Sequence, residues 1–223
     1  MDVIKMEDTK KEKVLEKMDK ELELVAKGNY ELRSGESYMT AESAHYAIRQ
    51  WFLEEHIPEH IAGIMVDQEE PLERMYEFYV DSACLTKAVE GKYFIKDYMA
   101  WLYHDHLRNS LHDKVEKEYQ NFIEEFKKKP PYNIPKLMTE MTVKMQVYSL
   151  FRYNDPCDFT EKCLENLCSI ENILDKVYKA TNLESLARDD LECLEENLIH
   201  CLLHISTRSA DSQELEENGY EMD

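Results

Sequence analysis

Glycine and proline are scarce in this chain, at five and six of 223 residues. That is too few for a turn-dense β-sandwich, a collagen or a low-complexity chain. No GxGxxG string and no P-loop pattern occurs, so no Gly-rich loop is present to cradle a phosphate. No apolar run approaches the ~20 residues that a bilayer-spanning helix requires. Positive charge is also in deficit: 27 basic residues stand against 47 acidic ones, a net charge of −20. Affinity for duplex rests largely on Lys and Arg neutralising phosphates, which argues against a generic nucleic-acid binder. The anionic cytoplasmic face of a membrane is disfavoured for the same reason. The N-terminal stretch MDVIKMEDTKKEK lacks the apolar centre of a signal peptide, which predicts a cytoplasmic protein.

The six cysteines do not form a disulfide framework or a zinc knuckle on their spacing. Cys157, Cys163 and Cys168 lie six and five apart, and Cys193 and Cys201 sit among leucines. They are expected to be reduced, mostly as small core residues.

What is present is helical periodicity. Val14, Leu15, Met18, Leu22 and Val25 form one stripe of a first helix, which Thr9 could cap and Gly28 could stop. Residues 29–39 read as a polar turn region. A second helix follows Thr40 on Ala44, Ile48, Trp51 and Phe52, and Pro58 and Pro71 each sit where a helix can start. Leu72, Met75, Tyr76, Tyr79, Val80 and Ala83 continue at helical steps to Gly91. KYFI (92–95) is the best strand candidate, and a long helical pattern from Asp97 is expected to break near Asn109–Ser110. Lys127–Lys129 and Pro130–Pro131 close that pattern. A helix with Ile134, Met138, Met141, Met145 and Tyr148 comes next. Two short helices from about Asp158 and Ser169 follow, and a last helix from about Leu183 to Ile205. The expectation is an all-α protein, an irregular bundle of eight or nine helices with an acidic N-terminal half (1–107) and a C-terminal half (108–205). Residues 206–223, six acids against one Arg, read as a disordered tail.

Several patterns could carry chemistry. His56-Ile57-Pro58-Glu59-His60 matches the HxxEH string of inverted zinc peptidases, but Pro58 disfavours one continuous helix through both histidines. His104 and His106 flank Asp105 in a doublet like those of metal phosphohydrolases, yet two residues apart on a helix they do not face each other. His200 and His204 are one turn apart in the last helix. Glu42-Ser43-Ala44-His45 matches the Glu-x-x-His of di-iron bundles once, where two are needed. No GxSxG elbow occurs. The methionine stripe 138–145 is expected to fill core, with an adaptable binding groove as the alternative. The aromatic set between Tyr76 and Tyr103 is expected to be core or a protein–protein surface, because stacking platforms for single strands also carry Lys and Arg. No cofactor is expected.

Charge is the most informative pattern. Residues 54–81 hold nine acids, Glu54, Glu55, Glu59, Asp67, Glu69, Glu70, Glu73, Glu77 and Asp81, against Arg74 alone. Residues 184–196 hold six acids against Arg188, whereas 108–129 is nearly balanced. An acidic face of this kind could occupy a nucleic-acid groove in another protein; the competing reading is a solvated surface that favours solubility.

The stretches LHDKVEKEYQNFIEEFKKKPPYNI and NLCSIENILDKVYKATNLESL, within residues 111–200, resemble in style the uncharacterised helical accessory proteins of phages and mobile elements of Firmicutes. The resemblance implies a mobile-element context and carries over no functional residue. In that context the expected function is a non-enzymatic interaction protein of a phage or mobile element. Its most specific form is an anti-CRISPR-like inhibitor that blocks the basic surface of a CRISPR effector or other nuclease, without binding nucleic acid or membrane. The alternative is a helical metal-dependent hydrolase using His56, Glu59 and His60, or His104 with neighbouring acids.

Overall fold

A computed structural model of the chain describes residues 3–26, 41–85, 91–129, 134–153, 159–181 and 198–207. Every regular element among them is a helix, so the chain is all-α as its periodicity predicts. The helices are α1 Val3–Ala26, α2 Ala41–Glu54, α3 Glu59–Val66, α4 Pro71–Leu85, α5 Gly91–Lys128, α6 Ile134–Tyr153, α7 Glu161–Ser169 and α8 Ile173–Ala180. Residues 198–207 form the described part of α9. The chain divides into two compact units, Met1–Tyr103 and His104–Asp223. No helix among the described residues is long and apolar enough to cross a membrane.

In the first unit α1 packs against α2, α3 and α4. Its stripe Val14, Met18 and Leu22 joins Ile48 and Phe52 of α2, Ile61 and Met65 of α3, Leu72 and Met75 of α4, and Phe94, Tyr98 and Leu102 of α5 in one core. The polar residues of α1 do a second job. Lys11 Nζ donates to Leu53 O at 2.9 Å and Glu55 O at 2.7 Å, closing the end of α2. Lys17 Nζ donates to Val66 O at 2.6 Å and Gln68 O at 2.5 Å, closing α3. Glu21 accepts from Leu72 N–H at 3.2 Å and Glu73 N–H at 2.9 Å, opening α4. Helix ends leave carbonyls and amides without intrahelical partners, and opposite charges suit opposite ends of the dipole. Lys, Lys and Glu over about 15 Å of one helix therefore meet the ends of three others.

In the second unit α6 packs on α8. Leu111 and Val115 of α5, Val143 and Val147 of α6, Leu164 and Leu167 of α7, Ile173 and Val177 of α8, and Leu198 and Leu202 of α9 are all buried. Thr160 Oγ1 accepts from Cys163 N–H at 3.3 Å and caps α7. Asn172, at φ 55°, leads into α8 in the left-handed conformation that Asn tolerates.

Several boundaries differ from the expectations above. α1 starts at Val3, so Thr9 lies inside it. KYFI is helical, because Phe94, Ile95, Tyr98 and Leu102 continue the helical step beyond those four residues. α5 runs unbroken through Asn109–Ser110. Met138 and Met145 are exposed rather than core: the inward face of α6 carries Leu137, Val143, Val147 and Phe151 instead. Apolar residues lie all round this helix, so their spacing does not select a face. Ser206 and Thr207 belong to α9, and Ser206 is buried with its hydroxyl 3.3 Å from Cys163 Sγ. The predicted turn region 29–39, the acidic segment 184–196 and tail residues 208–223 lie outside the described residues.

Candidate acidic groove

The linker after α3 and the first three turns of α4 wrap one side of a groove of about 670 Å³ in the first unit. Glu69 and Glu70 from the linker, and Glu73, Glu77 and Asp81 from α4, supply its carboxylates. Phe78 of α4 and Trp101 of α5 supply its aromatic floor, with ring centroids 5.3 Å apart. Trp101 keeps 39% of its surface exposed, and Phe78 is braced from behind by Phe94 and Tyr98. Arg74 lines the same groove, its guanidinium 5.4 Å from the Trp101 ring centroid. Gln68 completes the lining: its Oε1 accepts from Tyr98 O–H at 3.4 Å, and its buried Nε2 has no acceptor among the described residues.

Five of the nine acids singled out in 54–81 thus come together. The other four do not line the groove. Glu54 ends α2 and accepts from Gln50 at 2.6 Å. Glu55 lends its carbonyl to Lys11. Glu59 opens α3 and pairs with Lys10 at 3.3 Å. Asp67 is the exposed residue that closes α3. α4 begins at Pro71, so Glu69 precedes the helix rather than sharing a face with Glu73 and Glu77 by helical step.

Beneath Glu73 lies a buried ionisable cluster. Glu21 is 6% exposed; burial pushes its carboxyl up to about 7 against the two amide hydrogen bonds, and Glu70 and Glu73 add repulsion. Glu73 Oε2 lies 2.9 Å from Nε2 of buried His45, whose Nδ1 is 2.7 Å from Ala41 O. A carbonyl only accepts, so Nδ1 carries a proton. The ring also stacks on Tyr76 at 4.2 Å, and burial followed by repulsion from Glu73 raises that phenol.

The residues of the hydrolase alternative have other partners. His56 is exposed ahead of α3, and Pro58 between it and His60 is extended, at φ −58° and ψ 145°. His60 meets Tyr103 edge-on at 5.0 Å. In the second unit, His104 Nε2 lies 3.3 Å from Phe159 O. His200 and His204 are exposed on α9. No group of three or more His, Cys, Asp or Glu among the described residues is arranged to hold a metal ion. Cys163, Cys168 and Cys201 are free thiols, and burial raises the first two.

The acids and the aromatic set that includes Phe78 and Trp101 are both visible in the sequence, but neither their meeting in one groove nor the buried cluster is. Nothing local in the sequence sets Glu21 apart from the other polar positions of α1; it is buried, with two amide partners in α4. No family model matches this chain, and neither a curated protein nor a solved structure does.

Proposed function

We propose that this chain is a non-enzymatic interaction protein whose acidic groove docks a basic protein surface. In its most specific form the partner is a nuclease, of the CRISPR-effector kind, whose nucleic-acid channel the groove occludes. One observation carries the reading: five carboxylates converge on an exposed aromatic floor. Carboxylates pair with Lys and, bidentately, with Arg. The Trp101 ring already carries this chain's own Arg74 and keeps 39% of its surface exposed for a further contact, so the combination fits arginine side chains in particular. A merely solvated acidic surface needs no concavity and no exposed tryptophan. Charge of this density also speeds encounter with a basic partner and makes binding salt-sensitive.

The test is titration of a labelled, N-acetylated oligoarginine peptide by fluorescence anisotropy. The wild-type chain is expected to bind, more weakly as salt rises. Glu69→Lys, Glu70→Lys and Glu77→Lys together should abolish binding with helix content unchanged. Glu73 is left in place because it holds His45. Binding that survives the triple reversal removes the groove from the account.

A further inference from the structure

The groove and the buried cluster share one residue. Glu73 lines the groove with its carboxylate, holds His45 through that same carboxylate, and donates its backbone N–H to Glu21. We propose that docking of a basic partner expels a proton from Glu21 beneath the groove, so that the partner is held more tightly at pH 8 than at pH 6. This rests on the docking reading above and adds its regulation.

Glu21 has charged neighbours on several elements. From α4 it meets Glu73, and from the preceding linker Glu70, both repelling its ionised form. From α2, His45 meets Glu73, while Arg49 pairs with Asp19 at 2.9 Å. On α1 itself Lys17, one turn earlier, is committed to the carbonyls of Val66 and Gln68 at the end of α3. Tyr76, stacked on His45, is neutral in this pH range. The ionised carboxylate of Glu21 is therefore opposed by two acids that also line the groove. Burial is the larger part of what keeps the proton on Glu21, and repulsion from Glu70 and Glu73 adds to it. A guanidinium placed against those two acids removes the added part and shifts Glu21 toward its ionised form, so that a fraction of its proton leaves to solvent. A group that releases its proton on binding makes affinity rise with pH, by at most tenfold per pH unit for one fully linked proton.

A structural consequence runs alongside. Ionised Glu21 accepts both first-turn amides of α4, whereas in the protonated acid one oxygen becomes a hydroxyl, a poorer acceptor, which weakens one of those bonds. Glu21→Gln reproduces the protonated state at every pH.

The experiment measures the Kd of acetylated oligoarginine at pH 6, 7 and 8; its guanidinium groups do not titrate in that range. The wild-type chain is expected to bind about three- to tenfold more tightly at pH 8 than at pH 6. Glu21→Gln should bind with the weaker, pH 6 affinity throughout and a much flatter profile. Calorimetry of the wild type at pH 7 in two buffers of different ionisation enthalpy reads the proton directly, and decides the matter should Glu21→Gln fail to fold. Release of a fraction of a proton to one proton supports the linkage. Binding with a flat wild-type profile, no proton release, or an undiminished slope in Glu21→Gln overturns the linkage and leaves docking intact. Absence of binding at every pH overturns both.

Discussion

The two units handle a buried charge in opposite ways. Both use a long helix as a brace whose charged side chains finish the ends of shorter helices. In the first unit α1 does so with Lys11, Lys17 and Glu21. In the second, α5 does so with Lys114, which donates to Cys168 O at 2.6 Å, and Glu118, which accepts from Leu174 N–H at 3.0 Å. The contrast lies in what surrounds the most buried ion. Lys144, 3% exposed, sits 4.1 Å from the Phe122 ring centroid and donates to Glu140 at 2.8 Å and to Asp175. Burial alone would lower its ammonium, but those two hydrogen bonds and charges hold it above the usual lysine value. Burial pushes Glu21 toward neutrality against its two amide bonds, and two further acids add to that push. A buried charge with opposite partners is a structural device; a buried carboxyl with like charge beside it holds repulsion that a ligand can relieve.

The first way to sharpen this contrast is in the second unit. Lys144→Ala strips the shared cation from Glu140 and Asp175 and opens space beside Phe122. Glu140 and Asp175 keep access to solvent, Asp175 at 51% exposure, so the loss should be about 1–2 kcal/mol, below that of a fully buried pair, read as a lower urea midpoint. Lys144→Met, which keeps the volume, should recover part of it. Equal stability of Lys144→Ala and wild type would show that the ion is not held as its geometry indicates.

An effect of similar size belongs to the first unit. The folded carboxyl of Glu21 sits at about 7 and an unfolded one near 4.5. The folded state thus binds more protons between those values, and stability falls as pH rises from 4.5 to 7. The expected loss is about 2 kcal/mol, and Glu21→Gln should remove it. Urea unfolding at pH 5 and pH 7.5 checks this; a wild-type chain with the same change as Glu21→Gln would mean that Glu21 is ionised throughout.

Core stripes were legible in the sequence because they repeat: Val14, Met18 and Leu22 are buried where their spacing placed them, and so are Leu198 and Leu202. The braces were not. Lys11, Lys17 and Lys114 meet backbone carbonyls 42 or more residues away, and a backbone group has no sequence signature. His45 illustrates the same limit. Its Glu-x-x-His spacing is visible in the sequence, yet its carboxylate partner is Glu73, 28 residues on. The acidic run showed its charge but not its shape, since the floor needs Trp101 from another helix.

The central claim is that a local groove, not overall negative charge, engages a basic surface. The direct measurement is displacement of duplex DNA from a basic DNA-binding protein by this chain. Three forms are compared: wild type, the Glu69→Lys/Glu70→Lys/Glu77→Lys variant, and a control with Glu124→Lys and Glu125→Lys on the exposed side of α5. The account predicts that wild type and control displace DNA and the groove variant does not. Failure of the wild type to displace DNA, or equal loss in groove variant and control, would contradict it.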